Sequence, residues 1–240
     1  MIRILKALMN FILPLRCLVC GKIMRTHGCL CPECFENINF ITKPYCQRCG
    51  KPLNGDIDDI QGLCCVSCLN KKNYFRLCRS AIEYDNFSKK VILDFKFKDH
   101  LENRKLLAQW MNFAGKDIFD SGVDLIIPVP LYFTRLFSRK YNQSAILAAE
   151  LSKLTNLPAD YKSLKKIRNT LPQVLCNGKK RKVNVRNAFQ VVHPDKIEGK
   201  RIVLIDDVYT TGSTLRECSK VLLKAGAKSV DILTVARVCH

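Results

Sequence analysis

Four Cys-x-x-Cys pairs constrain this chain most: Cys17/Cys20, Cys31/Cys34, Cys46/Cys49 and Cys65/Cys68. Each such turn presents two sulfurs on one side of a tight loop, and two turns complete the tetrahedral thiolate set that zinc prefers. Gly21 and Gly50 directly follow a knuckle, where a positive φ lets the chain fold back over a metal. Sequential pairing gives Cys17/Cys20/Cys31/Cys34 and Cys46/Cys49/Cys65/Cys68. A cross-braced pairing satisfies the same count, and Cys64 stands where it competes with Cys65. Four thiolates fill the coordination sphere, which argues for two structural Zn²⁺ ions rather than catalytic ones. A segment of about sixty residues poor in large apolar side chains needs that binding energy to fold.

Ten of the 14 cysteines lie between Cys17 and Cys68. A secreted disulfide scaffold calls for a signal peptide. The first residues carry Arg3, Lys6 and an apolar stretch to Leu15, without a small-residue cleavage site. The expectation is therefore a reducing, cytoplasmic setting with thiols available for metal. Ile2, Leu5, Leu8, Met9, Ile12 and Leu13 line one side of a short helix over residues 1–16. Such a helix packs on the ribbons or docks peripherally on the inner face of a membrane, and packing is the commoner fate. No uncharged apolar run approaches the ~18–20 residues of a membrane span.

Charge narrows the partners. Lys and Arg number 40 against 21 Asp and Glu, a net +19. Two zinc–tetrathiolate sites bring this to roughly +15, still strongly basic. The surplus favours polyanions. From Tyr161 to Pro194 there is no acidic residue, while Lys162, Lys165, Lys166, Arg168, Lys179, Lys180, Arg181, Lys182 and Arg186 fall there. With Pro172, Asn177 and Gly178, the segment reads as a basic arm that neutralises phosphates.

The carboxyl-terminal third carries a second chemical signature. A strand at Lys200–Leu204 leads into Asp206-Asp207, then Thr210-Thr211-Gly212-Ser213-Thr214. Leu215, Cys218, Leu222 and Ala225 then recur on one helical face, which Gly226 ends. Hydroxyls, a glycine and the amides of a helix start suit a monophosphate. The carboxylates Asp206 and Asp207 instead suit a sugar's vicinal hydroxyls, directly or through Mg²⁺. Phosphate at one end of the loop and diol at the other describe a ribose 5-phosphate site.

This stretch resembles the 5-phosphoribosyl 1-pyrophosphate (PRPP) motif of type I phosphoribosyltransferases. More of the chain fits a narrower group: Ile126–Leu131, Arg135, Arg139, Lys140, Tyr141, Asn142, Gln143, Asp94–Lys98, Arg168, Thr170, Gln173, Arg181, Asn184, Asn187–Phe189 and Thr234–Arg237. With the knuckles in front, the chain is similar to the ComF family of competence proteins over nearly its whole length. Lys140-Tyr141 departs from that family's usual Arg-Gly. The resemblance implies an α/β type I phosphoribosyltransferase fold, a parallel sheet flanked by helices, with a small N-terminal zinc-ribbon module. It implies a ribbon module over 17–78 and the transferase-type domain over 79–240. It also implies that Asp206 and Asp207 hold ribose and Mg²⁺, that Thr210, Thr211, Gly212, Ser213 and Thr214 hold the 5-phosphate, and that Arg135, Arg139 and Arg181 meet pyrophosphate. Thr210 stands where purine-type transferases place an acidic base, which argues against purine salvage.

Two functions follow as expectations. One is a competence factor that handles transforming single-stranded DNA beside the DNA-uptake machinery, with aromatics such as Tyr45, Tyr74, Phe75, Tyr141 and Tyr161 stacking on bases. The other is a transferase that moves a pentosyl group from PRPP to an unidentified acceptor, with Asp206 and Asp207 as its catalytic pair. Trp110 and Phe113 are expected in the core.

Overall fold

The computed structural model describes residues 16–24, 30–53, 62–70, 73–97, 103–134, 141–169 and 185–239. Residues 1–15 of the helix expected over 1–16, and Arg135, Arg139, Lys140, Thr170, Gln173 and Lys179–Asn184 with the roles expected of them, lie outside these residues.

In chain order the elements are α1 (Pro32–Glu36), α2 (Val66–Leu69), β1 (Cys78–Glu83), α3 (Ser88–Phe97), α4 (Asn103–Ala114), α5 (Lys116–Asp120), β2 (Leu125–Pro128), α6 (Gln143–Thr155), β3 (Leu164–Lys166), β4 (Phe189–Val191), β5 (Arg201–Tyr209), α7 (Ser213–Lys224) and β6 (Ser229–Arg237). A parallel sheet in the order β1-β6-β5-β2 forms the centre. The hairpin-like pair β3-β4 is antiparallel. Ile202, Val203, Leu204 and Ile205 are all buried, as a strand covered on both faces requires. Alternate residues feed two cores. Val203 and Ile205 meet Leu147 and Leu151 of α6 with Leu107 and Met111 of α4. Ile202 and Leu204 meet Leu215, Cys218 and Leu222 of α7 with Phe189 of β4.

Two sequence expectations need amendment. The strand does not stop at Leu204; it runs to Tyr209, because Asp206, Val208 and Tyr209 stay in register with Thr234, Ala236 and Arg237 of β6. Trp110 is 9% exposed, but Phe113 is 82% exposed. Asn103, Leu107, Ala108, Trp110 and Met111 form the buried stripe of α4. Trp110 lies at its margin, so a step of three residues, about 60° short of a full turn, carries Phe113 beyond it.

The cysteine-rich segment covers the free edge of β1. Ile41 N donates to Ala81 O at 3.0 Å, Glu83 N to Asn39 O at 2.8 Å and Cys78 N to Arg48 O at 2.8 Å. Phe40 bridges Ile82, and its ring stands 5.2 Å from that of Trp110, edge on. Gly50 lies against the same edge at φ 68°; an added Cβ there would come within 2.5 Å of Cys78 O. Arg79, buried in β1, pairs with Asp117 at 2.7 Å, donates to Gln47 O at 2.9 Å and lies 4.8 Å over the Tyr45 ring. Among the described residues no helix is long and apolar enough to cross a membrane.

Candidate functional site

Strands β2 and β5 are neighbours, yet the helices that follow them pack on opposite faces: α6 joins one core and α7 the other. The chain therefore diverges above the carboxyl ends of β2 and β5, the place where open α/β sheets bind ligands. The β5–α7 connection, Thr210–Gly212, rises there. Gly212 is the N-cap of α7 at φ 67°, and a Cβ at that position would collide with the ring and hydroxyl of Tyr209. A side chain is thus excluded twice, by backbone conformation and by space. Thr211 Oγ1 and Ser213 Oγ lie 2.9 Å apart at the start of the helix. Arg216 donates from Nη2 to Thr211 O at 2.8 Å and to the Tyr209 hydroxyl at 3.3 Å, bracing the loop from below.

Asp206 is held from two sides. Ser144 Oγ donates to its Oδ1 at 2.9 Å, and Asp207 N donates to the same oxygen at 3.0 Å. Ser144 is placed by the start of α6: Asn142 caps the helix by accepting from Ser144 N at 3.1 Å and donates from Nδ2 to Val129 O at 3.0 Å. Ser144 was not among the residues expected at the site. Its signal was the Asn-Gln-Ser helix start, but only the pairing of β2 with β5 brings that start beside Asp206. Hard carboxylate oxygens such as these suit Mg²⁺. Burial pushes the Tyr209 hydroxyl up to about 12 and the Cys218 thiol well above its usual value, so both stay protonated near neutrality.

The eight cysteines gather sequentially into Cys17/Cys20/Cys31/Cys34 and Cys46/Cys49/Cys65/Cys68, with the sulfurs of each set within 4.8 Å of one another. A tetrahedron with Zn–S bonds of about 2.3 Å has sulfur–sulfur edges of about 3.8 Å. Cys20 and Cys31 stand 3.6 Å apart and Cys49 and Cys65 3.7 Å, so both sets fit zinc. Cys64 lies outside the second set. Backbone amides support the thiolate form: Cys31 N donates to Cys17 Sγ at 3.3 Å, and Cys65 N to Cys46 Sγ at 3.3 Å. The Cys49 thiol beside Cys46, with the amides of Cys49, Cys65 and Arg48, holds the Cys46 thiol well below its usual range against burial. Each set would hold one zinc ion that fixes its ribbon.

One aromatic expected to stack on bases is not available: Phe75 is buried in the second core. Tyr45 is half-buried, with Arg79 over one face of its ring.

This arrangement defines a class: a phosphoribosyltransferase-type domain whose sheet edge is closed by a double zinc ribbon. A double zinc ribbon domain model matches residues 8–69, and a phosphoribosyl transferase domain model matches residues 143–239. Competence protein F of Haemophilus influenzae is 31% identical over 236 residues, covering 96% of this chain and 100% of that protein. The DNA utilization protein YhgH of Escherichia coli K12 is 29% identical, over 92% of this chain and 89% of its own. Competence protein ComFC of Bacillus subtilis is 26% identical, over 87% of this chain and 84% of its own. The chain belongs to the competence protein F (ComF) family.

Proposed function

We propose that the loop from Asp206 to Thr214 binds a 5-phosphorylated pentose, PRPP or ribose 5-phosphate, with Mg²⁺, and that the protein serves competence by handling single-stranded DNA in the cytoplasm. The observation that carries this reading is the β5–α7 turn itself. Gly212 closes it, Thr211 and Ser213 hydroxyls line it, and the pinned Asp206 with Asp207 stands on the strand before it. Phosphate is drawn to the helix start and repelled by the carboxylates, so the ligand has one orientation. The names of the relatives and the net charge of +19 support the DNA role. The division into 1–16, 17–78 and 79–240, contact with the DNA-uptake machinery and peripheral contact with the inner membrane face belong to the same proposal.

Calorimetry of the zinc-loaded chain with PRPP and Mg²⁺ tests the pocket; Asp207→Ala removes binding if the reading holds. Fluorescence anisotropy with single-stranded DNA across a salt series tests the second half. Affinity that falls with salt supports it, and affinity that ignores salt overturns it.

The paired carboxylates favour a second reading, a transferase. Asp206 and Asp207 would orient the ribose as positive charge develops at its anomeric carbon and would hold a Mg²⁺ ion, which when bound would supply charge stabilisation for the departing pyrophosphate. Pyrophosphate release from PRPP in an acceptor screen supports this reading, and none across the screen removes it.

A further inference from the structure

The second cysteine cluster lies one side chain away from the sugar-phosphate loop. Arg237, at the end of β6, is 5% exposed. Its Nη1 donates to Cys49 O and its Nη2 lies 3.8 Å from Cys49 Sγ. The same guanidinium lies 4.6 Å over the ring of Tyr209, its register partner on β5. Tyr209 in turn fills the space under Gly212 and meets Arg216, which holds Thr211 O. The described contacts of Arg237 include no carboxylate.

A buried guanidinium without an anion is unstable. Four thiolates around Zn²⁺ carry a net charge of about −2, which makes the filled cluster the counter-ion of Arg237. A bound zinc would also fix the Cys46–Cys49 knuckle, whose Cys49 carbonyl and sulfur hold the guanidinium over Tyr209; emptying the cluster releases that knuckle and, with it, the hold on Arg237.

We infer that Arg237 is a positioning residue that ties the metal state of Cys46/Cys49/Cys65/Cys68 to the sugar-phosphate loop, so that emptying this cluster weakens binding at Asp206–Thr214. The inference rests on the reading of that loop given above and adds its regulation. Coupling between sites is reciprocal, so ligand must also tighten zinc at this cluster and leave the first cluster as it was.

Two measurements on the full chain decide it. Ribose 5-phosphate with Mg²⁺ is titrated by calorimetry before and after partial zinc removal, and zinc affinity is measured by competition against a chelator with and without saturating ribose 5-phosphate. The expected result is about a tenfold loss of ribose 5-phosphate affinity on zinc removal, with one of the two zinc ions held tighter by the same factor when ligand is present. Arg237→Gln, zinc-loaded, binds about tenfold more weakly and no longer responds to zinc removal, whereas Arg237→Lys recovers part of the affinity. Should Arg237→Gln fail to fold, the linkage in the unaltered protein decides alone. Equal ribose 5-phosphate affinity in both zinc states, with zinc affinities blind to ligand, overturns the coupling and leaves the sugar-phosphate reading standing. No ribose 5-phosphate binding by the zinc-loaded wild type sinks both.

Discussion

The two cysteine clusters share a ligand set and a knuckle design, but not their surroundings. In the first, Cys20 is exposed, and the neighbouring ion pair of Lys22 with Glu33 at 2.7 Å stands in solvent. Its buried members merge with the core beneath Trp110. In the second, Cys46, Cys49 and Cys68 are buried and Arg237 reaches in from β6. A metal in the first set would therefore fasten its ribbon to the core that holds Trp110, whereas a metal in the second would lie against Arg237 and, through it, Tyr209 under the β5–α7 turn. A local motif states what is bound; its tertiary neighbours decide what else that binding governs.

The largest break in this comparison comes from Cys49→Ser. Structural zinc contributes on the order of 10 kcal/mol to folding of a small site, so this variant loses the second zinc and its ribbon, together with at least about tenfold in ribose 5-phosphate affinity. Cys20→Ser loses one zinc and a smaller share of ligand affinity. Metal analysis paired with calorimetry separates the two, and equal loss of affinity in both variants erases the distinction.

Gly212→Ala comes next. A φ of 67° and the collision with Tyr209 make it destabilising by about 1–3 kcal/mol in thermal unfolding, with ribose 5-phosphate binding lost. A smaller effect is expected from Ser144→Ala, which removes one of the two hydrogen bonds described at Asp206 Oδ1. The lost hydrogen bond is worth about 1–2 kcal/mol because its acceptor is charged, or roughly fivefold to thirtyfold in ligand affinity, with zinc content intact.

The smallest lies at Arg201, the opposite end of β5 from the loop. Hydrogen bonds from the Arg201 side chain and amide hold the Asp124 carboxyl at about 2. A carboxyl held below its unfolded value, near 3.9, stabilises the fold above that value and loses its contribution as pH falls through about 2. The pair is partly exposed, so Asp124→Asn costs under about 1 kcal/mol near neutrality, and the difference from wild type vanishes in acid. Denaturant unfolding from pH 6 downward measures this.

What the sequence made legible was local. The spacing of the knuckles anticipated the ribbons, and the spacing of Leu215, Cys218 and Leu222 anticipated the buried face of α7. The strand–loop–helix order around Asp206–Thr214 was readable because a short loop carries its own chemistry. What escaped was set by distance along the chain. Ser144 meets Asp206 across 62 residues and Arg237 meets Cys49 across 188, and no local pattern encodes either meeting. Phe113 was misplaced for a related reason: apolar spacing locates a stripe on a helix but not its margins, which packing partners fix.

The hydrogen bonds that β1 exchanges with Asn39, Ile41 and Arg48 give the ribbons a duty that has nothing to do with ligand. They act as a hem along the selvedge of the sheet. A chain cut before Cys78 would bare that row of amides and carbonyls beside an uncovered Ile82, and would stick to its own copies rather than stand as a smaller enzyme-like unit. The ribbon module is in this sense a guard against self-association.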